Sequence, residues 1–194
     1  MRAKAISTAI TNLSSANESV RVAAAGEIYL QGRTPADRAV SRWWEDAELA
    51  GLLLGPKPVV TVGVAVRRET FAKIRAANGK PALATVPEEQ DAEEFELHFG
   101  DDVELDVLTT REPTGQGAIA RFLAKFGEGV QQVEFRCLNV ERATTILREK
   151  FADSPIYPEA RAGANGTRVN FFLVSVPGTS VASGKVLIEL YELP

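Results

Sequence analysis

The chain has 194 residues, 45% of them apolar and 25% charged, which suits one moderate domain or two small modules sharing a core. A net charge of −4 with acids and bases interspersed excludes the basic face that a phosphate backbone requires, so nucleic acid is not expected as a partner. Cys137 alone excludes an internal disulfide and a cysteine-rich zinc site; no run approaches the ~20 apolar residues of a bilayer span; and the polar start lacks a signal-like region, so a reduced, cytoplasmic protein with no membrane partner is expected.

Residues 1–57 read as a helical extension. Residues 1–17 are rich in Ser, Thr, Ala and Asn with weak periodicity and promise little order. Glu18 to Leu30 is helical in composition, and Gly32 is expected to stop it. Thr34-Pro35-Ala36-Asp37 then reads as a new helix start, with Thr34 as cap and Pro35 in the first turn. That second helix should run to about Leu54 and end at Gly55-Pro56, with Trp43 and Trp44 packing it onto the body of the protein.

From Pro58 the pattern changes to strands with one helix, and the order then repeats. In the first module, residues 58–112, Val59–Val66 is a β-branched strand and Glu69–Ala77 a short helix. Ala82–Val86 reads as a strand, and Glu94–Phe99 and Val103–Leu108 as a hairpin turning at Gly100-Asp101-Asp102. The second module, residues 113–194, opens with a helical connection around Ala118–Leu123. Val130–Cys137 follows as a strand, then a helix capped by Asn139, then strands at Ile156–Ala160, Arg168–Ser175 and Val186–Tyr191. The expected class is α+β, with two tandem βαβββ modules after an N-terminal helical extension.

Period-two alternation sorts the strand residues into faces. Glu94, Glu96 and His98 oppose Phe95, Leu97 and Phe99; Glu104 and Asp106 oppose Val103, Leu105 and Val107. Gln132, Glu134 and Arg136 oppose Val133, Phe135 and Cys137; Glu189 and Tyr191 oppose Val186, Ile188 and Leu190. The polar faces either meet solvent or line a cleft, and alternation alone fits both. Gly163-Ala164-Asn165-Gly166 enters a strand, so it is no dinucleotide fingerprint. Arg168 reads as a surface cation, and Cys137 as a small core residue.

The helix at 118–126, the turn Gly127-Glu128-Gly129, the loop 163–166 and the closing Ile188-Glu189-Leu190 strand, in this order, resemble the vicinal oxygen chelate (glyoxalase-like) superfamily and, within it, the methylmalonyl-CoA epimerase family. The likeness covers roughly residues 58–194 and is plainest in the second module. It implies a curved mixed sheet forming an open cup, and a homodimer. The family's metal site, carried over, falls on Thr61, Asp106, Gln132 and Glu189. Two of those positions carry histidine in the family, and here they are Thr61 and Gln132.

Threonine and glutamine are poor ligands for a first-row transition metal, so no cofactor is expected, with weak Mg²⁺ or Ca²⁺ binding left open. The family's proton-transfer pair falls on Glu94 and Glu189, with Glu96 as the next inward candidate. Thr61, Glu96, His98, Asp106, Gln132, Glu134, Arg136 and Tyr191 would line the ligand pocket. The leading expectation is a metal-free module binding a small molecule, an acyl-CoA or another carbonyl compound. The alternative is an epimerase- or glyoxalase-like enzyme that moves a proton α to a carbonyl through Glu94 and Glu189. A degenerate member whose N-terminal helices support a protein interaction is a third reading, and fold alone does not choose.

Overall fold

The computed structural model describes residues 2–178 and 184–194, with side chains from residue 5 onward. In chain order the elements are α1 (Arg2–Asn12), α2 (Glu18–Ala39), α3 (Ala47–Leu52), β1 (Val60–Ala65), α4 (Arg68–Ala77), β2 (Ala92–Phe99), β3 (Val103–Thr110) and α5 (Ala118–Phe126). They continue with β4 (Gly129–Arg136), α6 (Val140–Ile146), β5 (Arg161–Ala162), β6 (Arg168–Ser175) and β7 (Lys185–Glu192). The expected α+β class holds, but the chain forms two compact units that interleave in sequence. Unit one is residues 1–32 and 61–131, and unit two is residues 33–60 and 132–194. Residues 1–57, expected as one extension, are therefore shared between the units.

Unit one orders its strands β2-β3-β1, with β2 antiparallel and β1 parallel to β3. Gly100, in the left-handed region at φ 63°, makes the expected hairpin turn between β2 and β3. The apolar face carries Val62, Val64, Phe95, Leu97, Leu105 and Val107, all buried. Helix α4 covers it through Phe71 and Ile74, and Phe71 meets Phe95 edge-on with ring centroids 4.7 Å apart. Ala82–Val86, expected as a strand, forms none. Pro81 and Pro87 flank it and cannot donate, and one bond from the Ala84 amide to the Glu94 carbonyl (3.0 Å) ties it to β2.

Two N-terminal expectations are corrected. Residues 2–12 form helix α1, with Ala9, Ile10 and Leu13 buried. The Asn78 side-chain amide also donates to the Leu13 carbonyl (2.9 Å), so a small apolar patch and a part-buried hydrogen bond order a segment of weak periodicity. Helix α2 does not stop at Gly32, nor does a new helix start at Thr34; it runs through both, with Pro35 inside. Gly32 is there for space, because a Cβ would lie 2.5 Å from Val62 Cγ1 and 3.2 Å from Val130 Cγ1. Pro35 removes one donor without ending the helix.

Unit two orders its strands β4-β7-β6-β5, with β4 parallel to β7 and the other pairs antiparallel. The strand expected at Ile156–Ala160 is displaced to the two-residue β5 at Arg161–Ala162, with one bridge between Pro155 and Phe172 before it. Asn139 caps α6 as expected, its side-chain oxygen accepting from the Arg142 amide at 2.8 Å. The helix expected up to Leu54 is instead a 3-10 turn at Ser41–Glu45 followed by α3, which Asp46 caps by accepting from the Leu49 amide at 2.9 Å.

The tryptophans pack as expected. Trp43 is 1% exposed, meets Phe172 edge-on at 6.1 Å, and donates its indole N–H to Asp153 at 2.8 Å. Trp44 lies 6.4 Å from Phe135. Gly163 enters β6 closely, where a Cβ would sit 2.6 Å from Val169 Cγ1. Cys137 is buried in the core, and that burial pushes its thiol up to about 11. Among the described residues, no helix is long and apolar enough to cross a membrane.

Candidate functional site

Each unit turns one strand face to its helix and presents the other as a polar face, as the alternation expects. In unit one the register pairs Glu94 with Leu108, Glu96 with Asp106 and His98 with Glu104, and Gly63 of β1 lies opposite Asp106. Glu94, Glu96, His98, Glu104 and Asp106 therefore share a face, joined by Thr61, whose hydroxyl donates to Glu104 at 3.2 Å. Thr61 and Asp106 are each only 6% exposed. His98 is at the exposed end, with Nε2 3.3 Å from Glu96 and Nδ1 3.9 Å from Glu104.

The two glutamates that sequence could not separate have different surroundings. Glu96 is exposed, whereas Glu94 is half-buried. Burial, and then the charge of Glu96, push the Glu94 carboxyl up from its ordinary 4.5 to about 7. A carboxyl with that proton affinity can both take and return a proton near neutral pH. Glu104 was not among the expected site residues, although it lies two positions before Asp106 on the same alternation.

In unit two, Glu134 of β4 pairs in register with Glu189 of β7, and Arg136 with Tyr191. Gln132 is 7% exposed, and its amide nitrogen donates to Glu189 Oε2 at 2.5 Å and to Glu134 Oε1 at 3.0 Å. Both amide hydrogens are thus directed at carboxylates, the assignment that two flanking acceptors require. Glu189 is 9% exposed. Phe171 and Leu173 of β6, opposite Glu189 and Leu187, add an apolar strip to this face. Neither was expected at the site, because their alternation alone does not tell which neighbour they meet. The aromatic strip continues outward: Tyr157 meets Phe171 edge-on at 6.1 Å, and the Arg161 guanidinium stacks 4.3 Å from the Tyr157 ring. Arg168, as expected, is exposed and pairs with Glu141.

Within each unit the candidate donors hydrogen-bond to one another. In unit one the Thr61 hydroxyl is committed to Glu104, and in unit two the Gln132 amide turns its nitrogen, not its oxygen, to the acids. Among the described residues, no group of three His, Cys, Asp or Glu side chains is arranged to hold an ion.

No protein-family model matches the chain, and no curated protein sequence matches it significantly. Solved structures do. Methylmalonyl-CoA epimerase from Mycobacterium tuberculosis superposes with a TM-score of 0.55 and 25% identity over 69% of this chain and 86% of its own. A methylmalonyl-CoA epimerase in complex with methylmalonyl-CoA and NH4+ gives 0.52 and 25% over 70% and 93%. A hypothetical protein from Bacillus halodurans C-125 gives 0.54 and 23% over 69% and 92%. The shared strand and helix order and these superpositions agree: the chain has the vicinal oxygen chelate (glyoxalase-like) fold seen in methylmalonyl-CoA epimerases.

Proposed function

We propose that the chain binds a small carbonyl compound of the acyl-thioester class against the polar strand face of unit two, and that it needs no transition metal to do so. The observation that carries this reading is the Gln132 amide bridging Glu134 and Glu189. Two carboxylates side by side repel, and a cation is one remedy. Here a neutral donor holds both, which fixes their geometry. The Phe171 and Leu173 strip beside them suits the apolar part of an acyl group. An epimerase of similar fold was crystallised with methylmalonyl-CoA, which supports the ligand class.

The test is a thermal-shift series on chelator-treated protein with methylmalonyl-CoA, propionyl-CoA and free CoA. The acyl-CoAs should raise Tm in a saturable way and free CoA should do so less, because a ligand that prefers the folded state stabilises it. No shift with any acyl-CoA would remove the proposal.

A second reading, proton transfer α to a carbonyl, is favoured by Glu94, whose proton affinity near neutrality suits a general base. Abstraction leaves an enolate whose charge needs a buried donor. His98 is exposed and Arg136 half-buried at a strand end, so binding is ranked first. Solvent deuterium entering the α-carbon of methylmalonyl-CoA, and lost in Glu94→Gln, would reverse that ranking.

A further inference from the structure

We propose that unit one carries a second binding site, for a small amphipathic anion, in a groove beside α4. The groove encloses about 250 Å³ and is lined by Arg68, Phe71, Arg75, Lys80, Leu83 and Glu93. It lies on the helix-covered side of the strands, opposite the face that carries Glu94 and Asp106, since Phe71 packs on Phe95 of the apolar face. This site is therefore independent of the function proposed above.

The floor and the rim differ in chemistry. Ala72 and Ala76, one helical turn apart, leave the depth that longer side chains at those positions would fill. Phe71 and Leu83, the latter 44% exposed, add to the apolar lining. Around this apolar trough stand three cations and one acid, and the acid is already taken: Glu93 pairs with Arg68 at 3.3 Å. Arg75 and Lys80 are left as surplus positive charge at one end.

Arg75 is held through its side chain and Lys80 through its backbone. Arg75 donates its Nε to the Pro81 carbonyl at 2.8 Å, which holds the guanidinium against the coil and leaves its outer nitrogens for a ligand. Lys80 sits in the left-handed region at φ 55°, held by its own amide bond to the Arg75 carbonyl at 2.9 Å. The helix end accounts for cations there, but not for an apolar trough leading up to them. An anionic head on a short apolar body matches both features, with the guanidinium and ammonium as charge-assisted donors.

The experiment titrates the full chain, labelled with ¹⁵N, with hexyl phosphate, hexanoate, inorganic phosphate and hexanol. The two amphipathic anions should give saturable amide shifts at residues 72–83, while inorganic phosphate and hexanol should not saturate. Binding by both anions assigns the shared chemistry, and binding by one assigns its head group. Lys80→Gln should weaken binding roughly tenfold, the loss of one charge-assisted contact. Ala76→Leu, a good helix former that fills the floor, should abolish it while the helical circular dichroism stays unchanged. The proposal is overturned if no probe saturates, if inorganic phosphate alone gives the same shifts, or if both variants bind like the parent.

Discussion

The polar strand faces of the two units carry similar acids and restrain them in opposite ways. In unit two one amide, Gln132, donates to both Glu134 and Glu189. In unit one no amide lies among the strand residues of the corresponding face, and the half-buried Glu94, next to Glu96, is pushed up to about 7. One strand–helix–strand pattern thus yields an acid held near neutrality on one side and a hydrogen-bonded pair on the other. The difference teaches that a repeat can keep its backbone while the few side chains between its carboxylates decide what they can do.

The largest effect that separates the units concerns how each is covered. Unit two leans on Trp43, which is buried against Phe172 and bonded to Asp153. Trp43→Ala should cost about 3–5 kcal/mol in urea unfolding. A loss below about 1 kcal/mol would mean that the aromatic contact does not support the unit.

Next comes Glu94. Its folded carboxyl is raised, so its contribution to stability is fully present below about 4.5 and is lost as pH rises through about 7. Glu94→Gln should therefore add roughly 2–3 kcal/mol at pH 8.5 and nothing at pH 4. Unfolding curves at both pH values check this, and an equal change at both would show that burial does not govern Glu94.

A smaller effect is expected in unit two. Gln132→Leu leaves Glu134 and Glu189 without their shared donor and should destabilise by about 2 kcal/mol at neutral pH. If this variant is as stable as the parent, the amide is not what holds the pair, and the contrast between the faces fails.

Much of this was legible from sequence. The alternation of Gln132, Glu134 and Arg136 against Val133, Phe135 and Cys137 assigned both faces of β4, and order plus turns indicated the fold. What failed were features that only tertiary contact decides. A glycine that ends a helix and a glycine that lets a helix lie against Val62 look the same in a chain, so Gly32 was misread. Ala82–Val86 has strand composition, but with prolines at both ends it forms no strand and is tied to β2 through the Ala84 amide. The residues sharing each face could be named from the sequence, but not their relations. The Gln132 clamp depends on Glu134 meeting Glu189 across parallel strands, and the contrast between Glu94 and Glu96 depends on burial. Neither is written in residue order.

The proposal that an amide serves where a cation would otherwise be needed is tested most directly by calorimetry. Methylmalonyl-CoA is titrated into protein held in EDTA and, in parallel, into protein with excess Co²⁺. Equal affinity in the two titrations, with loss of affinity in Gln132→Leu in both, is the predicted result. Binding that appears only with Co²⁺ would contradict it.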